Sequence, residues 1–415
     1  VSDTSPVPRL RVETTRVDDL KLLIPLIDPA HPLIWMRKGQ GIAGVGEALR
    51  LEFSGPTRMP DACAAWKSVV DAATVVDPVG APGTGLVAFG TFAFADDSAA
   101  TSVLIVPRLV LGKRDGQFWI TRTTVDGEDP ASIPAPVARP LGPEYRLALL
   151  PGAVSPEAFR ASVDAAVARI DDQQLSKVVL ARDLTGHLPA GSDLRRPLTD
   201  LALGYPDCWT YAVDGFVGSS PETLVRVDHG TVSARVLAGT TARGTDAEAD
   251  HDRAVALATS TKDLDEHGYA VTSVMAALTP HSRNLIVSEL PFTLKLPNLW
   301  HLASDIVGTL SDGSTSLDLI SALHPTAAVA GTPTSAALAL ISELEPFDRG
   351  RYAGPVGWVG ADGDGEWAVA LRSAQVDPSG DITAYAGCGI VADSDPEREY
   401  LETKMKFRPI VEAFG

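Results

Sequence analysis

Hydrophobic and polar positions alternate with period two over many short stretches of this chain, separated by blocks with a helical period. Gly85-Leu-Val-Ala-Phe-Gly-Thr-Phe-Ala-Phe94 and the run from Thr101 to Leu111 both read as strands. Residues 1 to about 120 therefore predict an α/β portion with several short strands. Between 123 and 152, Pro130, Pro134, Pro136, Pro140, Pro143 and Pro151 mark a linker. Ser155-Pro156-Glu157 then carries a cap and a first-turn proline, and Phe159, Val163, Val167 and Ile170 follow as a helical stripe. Ser176 to Arg182 predicts a strand. From 209 to 237 the alternation resumes, with turns at Asp214-Gly215 and Asp228-His229-Gly230, and predicts an antiparallel meander. One long helical region is expected from 246 to 278, and a glycine-punctuated β section from 352 to 391. The last helix is expected near Ser394, with Ser394-x-x-Glu397 as a capping box. Hairpins and helices in separate blocks predict an α+β fold. The linker divides it into an N-terminal portion, 1–150, and a larger unit, 153–415.

Composition narrows the partners. The 415 residues include 45% hydrophobic and 21% charged positions, the balance of a globular protein. The net charge of −18 argues against nucleic acid or an anionic membrane as partner. Any anionic substrate then needs a local cluster of cations or a metal. Cys63, Cys208 and Cys388 have no zinc or disulfide spacing, so a reducing cytoplasm is the expected compartment. There is no run of about 18 apolar residues to span a membrane. Val1-Ser2-Asp3-Thr4 lacks a basic region followed by an apolar stretch and does not read as a secretory signal.

Two helical stretches pair carboxylates three residues apart: Asp263 with Glu266, and Glu399 with Glu402. That spacing puts both groups on one helix face. They are either solvated faces or an all-oxygen site for a hard cation such as Mg²⁺. Lys177, in an apolar strand, is either at a solvent-facing edge or a buried lysine able to act as a base. Glu222, in Ser220-Pro221-Glu222, is either a turn residue or a proton donor to a leaving group. The loops Leu237-Ala238-Gly239-Thr240 and Ala386-Gly387-Cys388-Gly389 are turns or carboxylate-binding backbone. His301 is structural or a pocket residue. Arg372 interrupts an apolar strand and, if buried, suits a carboxylate clamp.

Taken jointly, these segments resemble the chorismate-utilising enzymes: isochorismate synthases, salicylate synthases, anthranilate synthase component I and aminodeoxychorismate synthase. The resemblance covers roughly residues 155 to 415. It runs in order through Ser176–Arg182, Ser220-Pro-Glu222, Ala238-Gly-Thr240, Lys262-Asp-Leu-Asp-Glu-His267, His324–Gly331, Glu343–Asp348, Gly354–Trp358, Ala386–Val391 and Glu399-x-x-Glu402. It implies two antiparallel β-sheets packed as a sandwich with helices outside. It implies Glu266 and Glu402 as Mg²⁺ ligands, with Asp263 and Glu399 behind them holding water on the metal. Arg372 and Tyr352 would bind the enolpyruvyl carboxylate of chorismate, with the backbone of Gly387, Cys388 and Gly389. Lys406, Gly239 and Thr240 would lie near the ring carboxylate, and His301 would line the pocket.

Within the family, Lys177 fits the members that use water as nucleophile, as base, with Glu222 as acid. Ala328 stands where salicylate and anthranilate synthases usually carry threonine. Thr241 replaces the arginine of a Gly-Thr-Arg run found in amide-using relatives, and the Leu-Leu-Glu-Ser stretch of tryptophan-inhibited members is absent. The resemblance thus implies an isochorismate synthase with no obligatory glutaminase subunit. Salicylate synthase and, further off, anthranilate synthase component I are the alternatives. Menaquinone, siderophore and salicylate pathways all stay open.

Overall fold

The computed structural model describes residues 8–125, 127–129, 132–296 and 299–415. Pro130 and the opening Val1 to Thr4 lie outside the described residues. Eight α-helices are described: α1 (Arg58–Ala72), α2 (Pro156–Asp171), α3 (Arg195–Gly204), α4 (Ala247–Thr259), α5 (Thr261–Leu278), α6 (Ser316–Leu323), α7 (Thr334–Leu344) and α8 (Pro396–Phe414).

The strands form two large sheets, as the α+β expectation required. The first runs Leu150–Pro151, Lys177–His187, Asp381–Ile390, Ser373–Val376, Phe216–Ser220, Trp209–Val213, Leu33–Arg37, Gln40–Val45, Leu109–Arg114, Gln117–Val125, Leu10–Arg16, Thr74–Val76. The second runs Ser282–Val287, Leu299–Leu310, Thr231–Ala242, Thr223–Asp228, Gly365–Val369, Pro355–Gly360, Val87–Thr91, Ser102–Val106, Leu49–Phe53. Pairing is antiparallel except between Leu10–Arg16 and Thr74–Val76. Each sheet joins one block of strands from before the proline-rich stretch to one block from after it, at the pairings of Leu33–Arg37 with Trp209–Val213 and of Val87–Thr91 with Pro355–Gly360.

The sheets pack face to face over Trp35, Trp119 and Tyr211 from the first and Phe89, Val356 and Trp358 from the second. Within this core, Glu366 of the second sheet accepts from the Trp35 indole at 3.0 Å and pairs with Arg114 at 2.9 Å. A buried carboxylate is tolerable only with such partners. Helices α3 and α8 cover an outer apolar layer with Leu198, Leu201, Phe407, Ile410 and Phe414. No helix among the described residues is long and apolar enough to cross a membrane.

Several expected elements differ in detail. The run from Thr101 to Leu111 is two strands, broken where Pro107 removes a backbone donor. The helical region at 246–278 is two helices, because Ser260 leaves helical geometry and caps α5 by accepting from the Asp263 N–H. The cap of α8 is Asp395, which accepts from Arg398, and not Ser394. The stretch from 209 to 237 is two hairpins, one in each sheet, and not one meander. The chain crosses between the sheets at Pro221-Glu222. It crosses back at Ala370 to Arg372, after Gly365–Val369 and before Ser373–Val376. Two of the candidate residues therefore stand where the sheets part.

Candidate active site

A cavity of about 200 Å³ opens there. Its wall includes Lys177, Glu222, Gly239, Thr240, Asp263, Glu266, His301, Ala328, Tyr352, Arg372, Gly387, Cys388, Gly389, Glu399, Glu402 and Lys406. Every candidate residue from the sequence thus faces one space, although they come from ten separate stretches of chain.

Lys177 is not at an open edge. The short strand Gly331–Thr332 pairs with it on one side and Asp381–Ile390 continues the sheet on the other. Its side chain is 12% exposed, and Nζ donates to Glu266 Oε1 at 2.5 Å. The aliphatic stem lies over Gly389, where a Cβ would come 2.8 Å from Lys177 Cε. Glycine at 389 is the space in which the lysine rests.

Glu222 is buried at the crossing between sheets. Burial pushes its carboxyl up to about 7, against the opposing pull of Lys177, Arg372 and Lys406. It is half-protonated near neutrality, the condition a proton donor needs. Arg372 sits at the return crossing with φ +51, a left-handed conformation costing a non-glycine residue about 1–2 kcal/mol. Its guanidinium is buried and makes no ion pair among the described residues. Burial pulls it below its ordinary value, which still leaves it charged at neutral pH. A strained backbone that delivers an unpaired buried cation into a cavity is a strong pointer to an anionic ligand.

On α8, Lys406 donates to Glu402 at 2.7 Å and to the Gly387 carbonyl at 2.9 Å. Burial opposes its charge, but Glu402 more than offsets this and holds the ammonium above its ordinary value. His301 Nδ1 meets the Thr240 hydroxyl at 2.9 Å, while Nε2 is buried without a partner among the described residues. Burial, followed by the charges of Arg372 and Lys406, lowers the ring to about 3, so it is neutral. Gly239, at φ +80, forms a bulge in the pairing with Leu299–Leu310 and lies against Asp263.

Asp263 and Glu266 face the cavity from α5, and Glu399 and Glu402 from α8. Burial first, and then the charge of Glu402, raise the Glu399 carboxyl. A hard divalent cation relieves such repulsion, so the donor set fits Mg²⁺. Glu266 also pairs with Lys177, and Glu402 with Lys406. Among the described residues, the ligand-type side chains that converge within 4.8 Å are Asp228, His229 and Asp364, which do not line this cavity.

Three supporting residues were not among the candidates. Ser394 holds Glu399 Oε1 at 2.8 Å. His267 bonds the Ala238 carbonyl at 3.2 Å and Ser304 at 2.9 Å, locking α5 and so Glu266 onto the sheet. Lys262 lines the cavity beside Asp263. The last two lie inside the Lys262–His267 motif, which was the available signal.

The chain matches the family described as "Chorismate binding enzyme" over residues 9–415. It belongs to that family. Among curated relatives it is 42% identical over 272 residues to the isochorismate synthase DhbC of Bacillus subtilis, across 63% of this chain and 68% of DhbC. It is 36% identical over 258 residues to the isochorismate synthase MenF of the same organism, across 61% of this chain but only 55% of MenF. Among solved structures, DhbC from Bacillus anthracis superposes with a TM-score of 0.77 at 30% identity, covering 95% of this chain and 98% of that one. The Bacillus anthracis structure therefore shares the fold of this chain over nearly its whole length.

Proposed function

We propose that this chorismate-binding enzyme is an isochorismate synthase. Water adds at C2 of chorismate and the C4 hydroxyl departs, so the ring is isomerised without net gain of atoms. The observation that carries the reading is Glu222: a buried carboxyl raised to about 7 in the same cavity as Lys177. One group is placed to give a proton and the other to take one.

Lys177 is the base that accepts a proton from the attacking water. Glu266 and the floor at Gly389 fix its position. Glu222 gives its proton to the leaving hydroxyl. Arg372 and Tyr352 receive the enolpyruvyl carboxylate, with the N–H groups of Gly387 to Gly389. Lys406, Gly239 and Thr240 orient the ring carboxylate, and His301 Nε2 is free to bond the ligand. Glu266 and Glu402, backed by Asp263 and Glu399, would hold Mg²⁺, which supplies charge stabilisation at the ring carboxylate. Ala328 offers no hydroxyl to the attacking side. The nucleophile is solvent water, so no ammonia-feeding subunit is part of the reaction.

The test is incubation of the purified protein with chorismate and Mg²⁺, with products separated by chromatography. Isochorismate as the main product supports the proposal. Salicylate with pyruvate, or anthranilate on adding ammonium, would assign the cavity to a different member reaction.

A further inference from the structure

We propose that Lys262 captures the substrate: it is an exposed cation at the cavity mouth that draws a dianion such as chorismate inward. This rests on the function proposed above. Lys262 lines the catalytic cavity and also a neighbouring hollow of about 260 Å³, and the two spaces share Lys177, Glu266 and Val391. It therefore stands at the junction between them, and it is exposed.

The basic side chains around the cavity divide into two kinds. Lys177 and Lys406 are each held by a glutamate. Arg372 is buried in the wall, and Lys262 is exposed, and neither makes an ion pair among the described residues. An anion moving inward meets Lys262 first and Arg372 at depth.

Stability does not explain a lysine at 262. It is the second residue of α5, where the positive end of the helix disfavours a cation and favours a carboxylate. Asp265 and Glu266, three and four residues on, offer the wrong order for a helix ion pair and make none with it. Approach, by contrast, requires a cation here. The protein carries −18, and Asp265 and Asp393 line the hollow. A dianion is repelled from such a mouth unless a local positive charge focuses the field.

Lys262 acts on association and positioning, so its loss falls on kcat/KM rather than on kcat. The experiment is stopped-flow binding of chorismate, followed by intrinsic tryptophan fluorescence, together with turnover. Wild type, Lys262→Gln and Lys262→Glu are compared from about 0.02 M to about 0.5 M salt, over which the Debye length falls from roughly 20 Å to roughly 4 Å. At low salt the association rate should drop about 3–10-fold in Lys262→Gln and further in Lys262→Glu, with all three converging at high salt. Mg²⁺ half-saturation should hold, and Lys262→Glu should melt no lower than wild type. Equal association rates with the same salt slope overturn the proposal. So does a loss confined to kcat. If wild type binds chorismate but yields another product, the proposed reaction falls while the association rates still decide the role of Lys262. If wild type does not bind chorismate, both fall.

Discussion

Replacing Glu222 by glutamine should abolish turnover and, at the same time, stabilise the protein in a pH-dependent way. In the folded chain burial raises the carboxyl from 4.5 to about 7. Below pH 4.5 both the folded and the unfolded forms carry the proton, and nothing is lost. As pH rises from 4.5 towards 7, the unfolded chain ionises first, the folded chain binds more protons, and stability falls. Above 7 the penalty levels off at about 3 kcal/mol, from 1.36 kcal/mol for each pH unit of displacement. Glutamine has no such burden. The advantage of Glu222→Gln should grow by about 2.5 kcal/mol between pH 5 and pH 8. For a chain of this length, unfolding entropy converts that to a Tm difference widening by about 3 °C. Any fixed cost of burying an amide appears at both pH values and cancels. Differential scanning calorimetry of the metal-free proteins at pH 5 and pH 8 measures it. A Tm offset that is constant, or that narrows as pH rises, would refute a buried carboxyl with a raised pKa.

Gly389→Ala should cost activity by pushing Lys177 aside, since the new Cβ would come 2.8 Å from Cε of the lysine. Turnover should approach that of Lys177→Ala, on the order of 10² to 10⁴ below wild type, while the far-ultraviolet dichroism stays native; full activity in Gly389→Ala would show that the lysine has room elsewhere. EDTA should stop turnover and added Mg²⁺ should restore it, as expected of four carboxylates facing one cavity. Undiminished turnover in chelator would remove the metal from the reaction.

Much of the site was legible because its chemistry lies in short local patterns. Glu399 and Glu402 lie on α8 as their spacing implied, and Asp263 and Glu266 on α5. The alternation at 209 to 237 was also real. What it could not convey was the crossing at Pro221-Glu222, because a strand's period is the same whichever sheet it joins. For the same reason Lys177 read equally well as an edge residue: the two-residue strand Gly331–Thr332 that covers it is too short to leave a pattern. The sequence pattern marks Ser394 as the helix cap, yet its hydroxyl turns to Glu399, and Asp395 one position later takes the cap. The left-handed backbone at Arg372 had no sequence signal, since nothing in Ala370-Leu371-Arg372-Ser373 marks a positive φ.

The central claim is the reaction itself, and product analysis tests it most directly. With chorismate and Mg²⁺ at neutral pH, chromatography should find isochorismate as the main product, with little or no salicylate and no anthranilate when ammonium is added. Predominant salicylate with equimolar pyruvate, or anthranilate on adding ammonium, would contradict the assignment of Lys177 and Ala328 to a water-using site that stops at isochorismate.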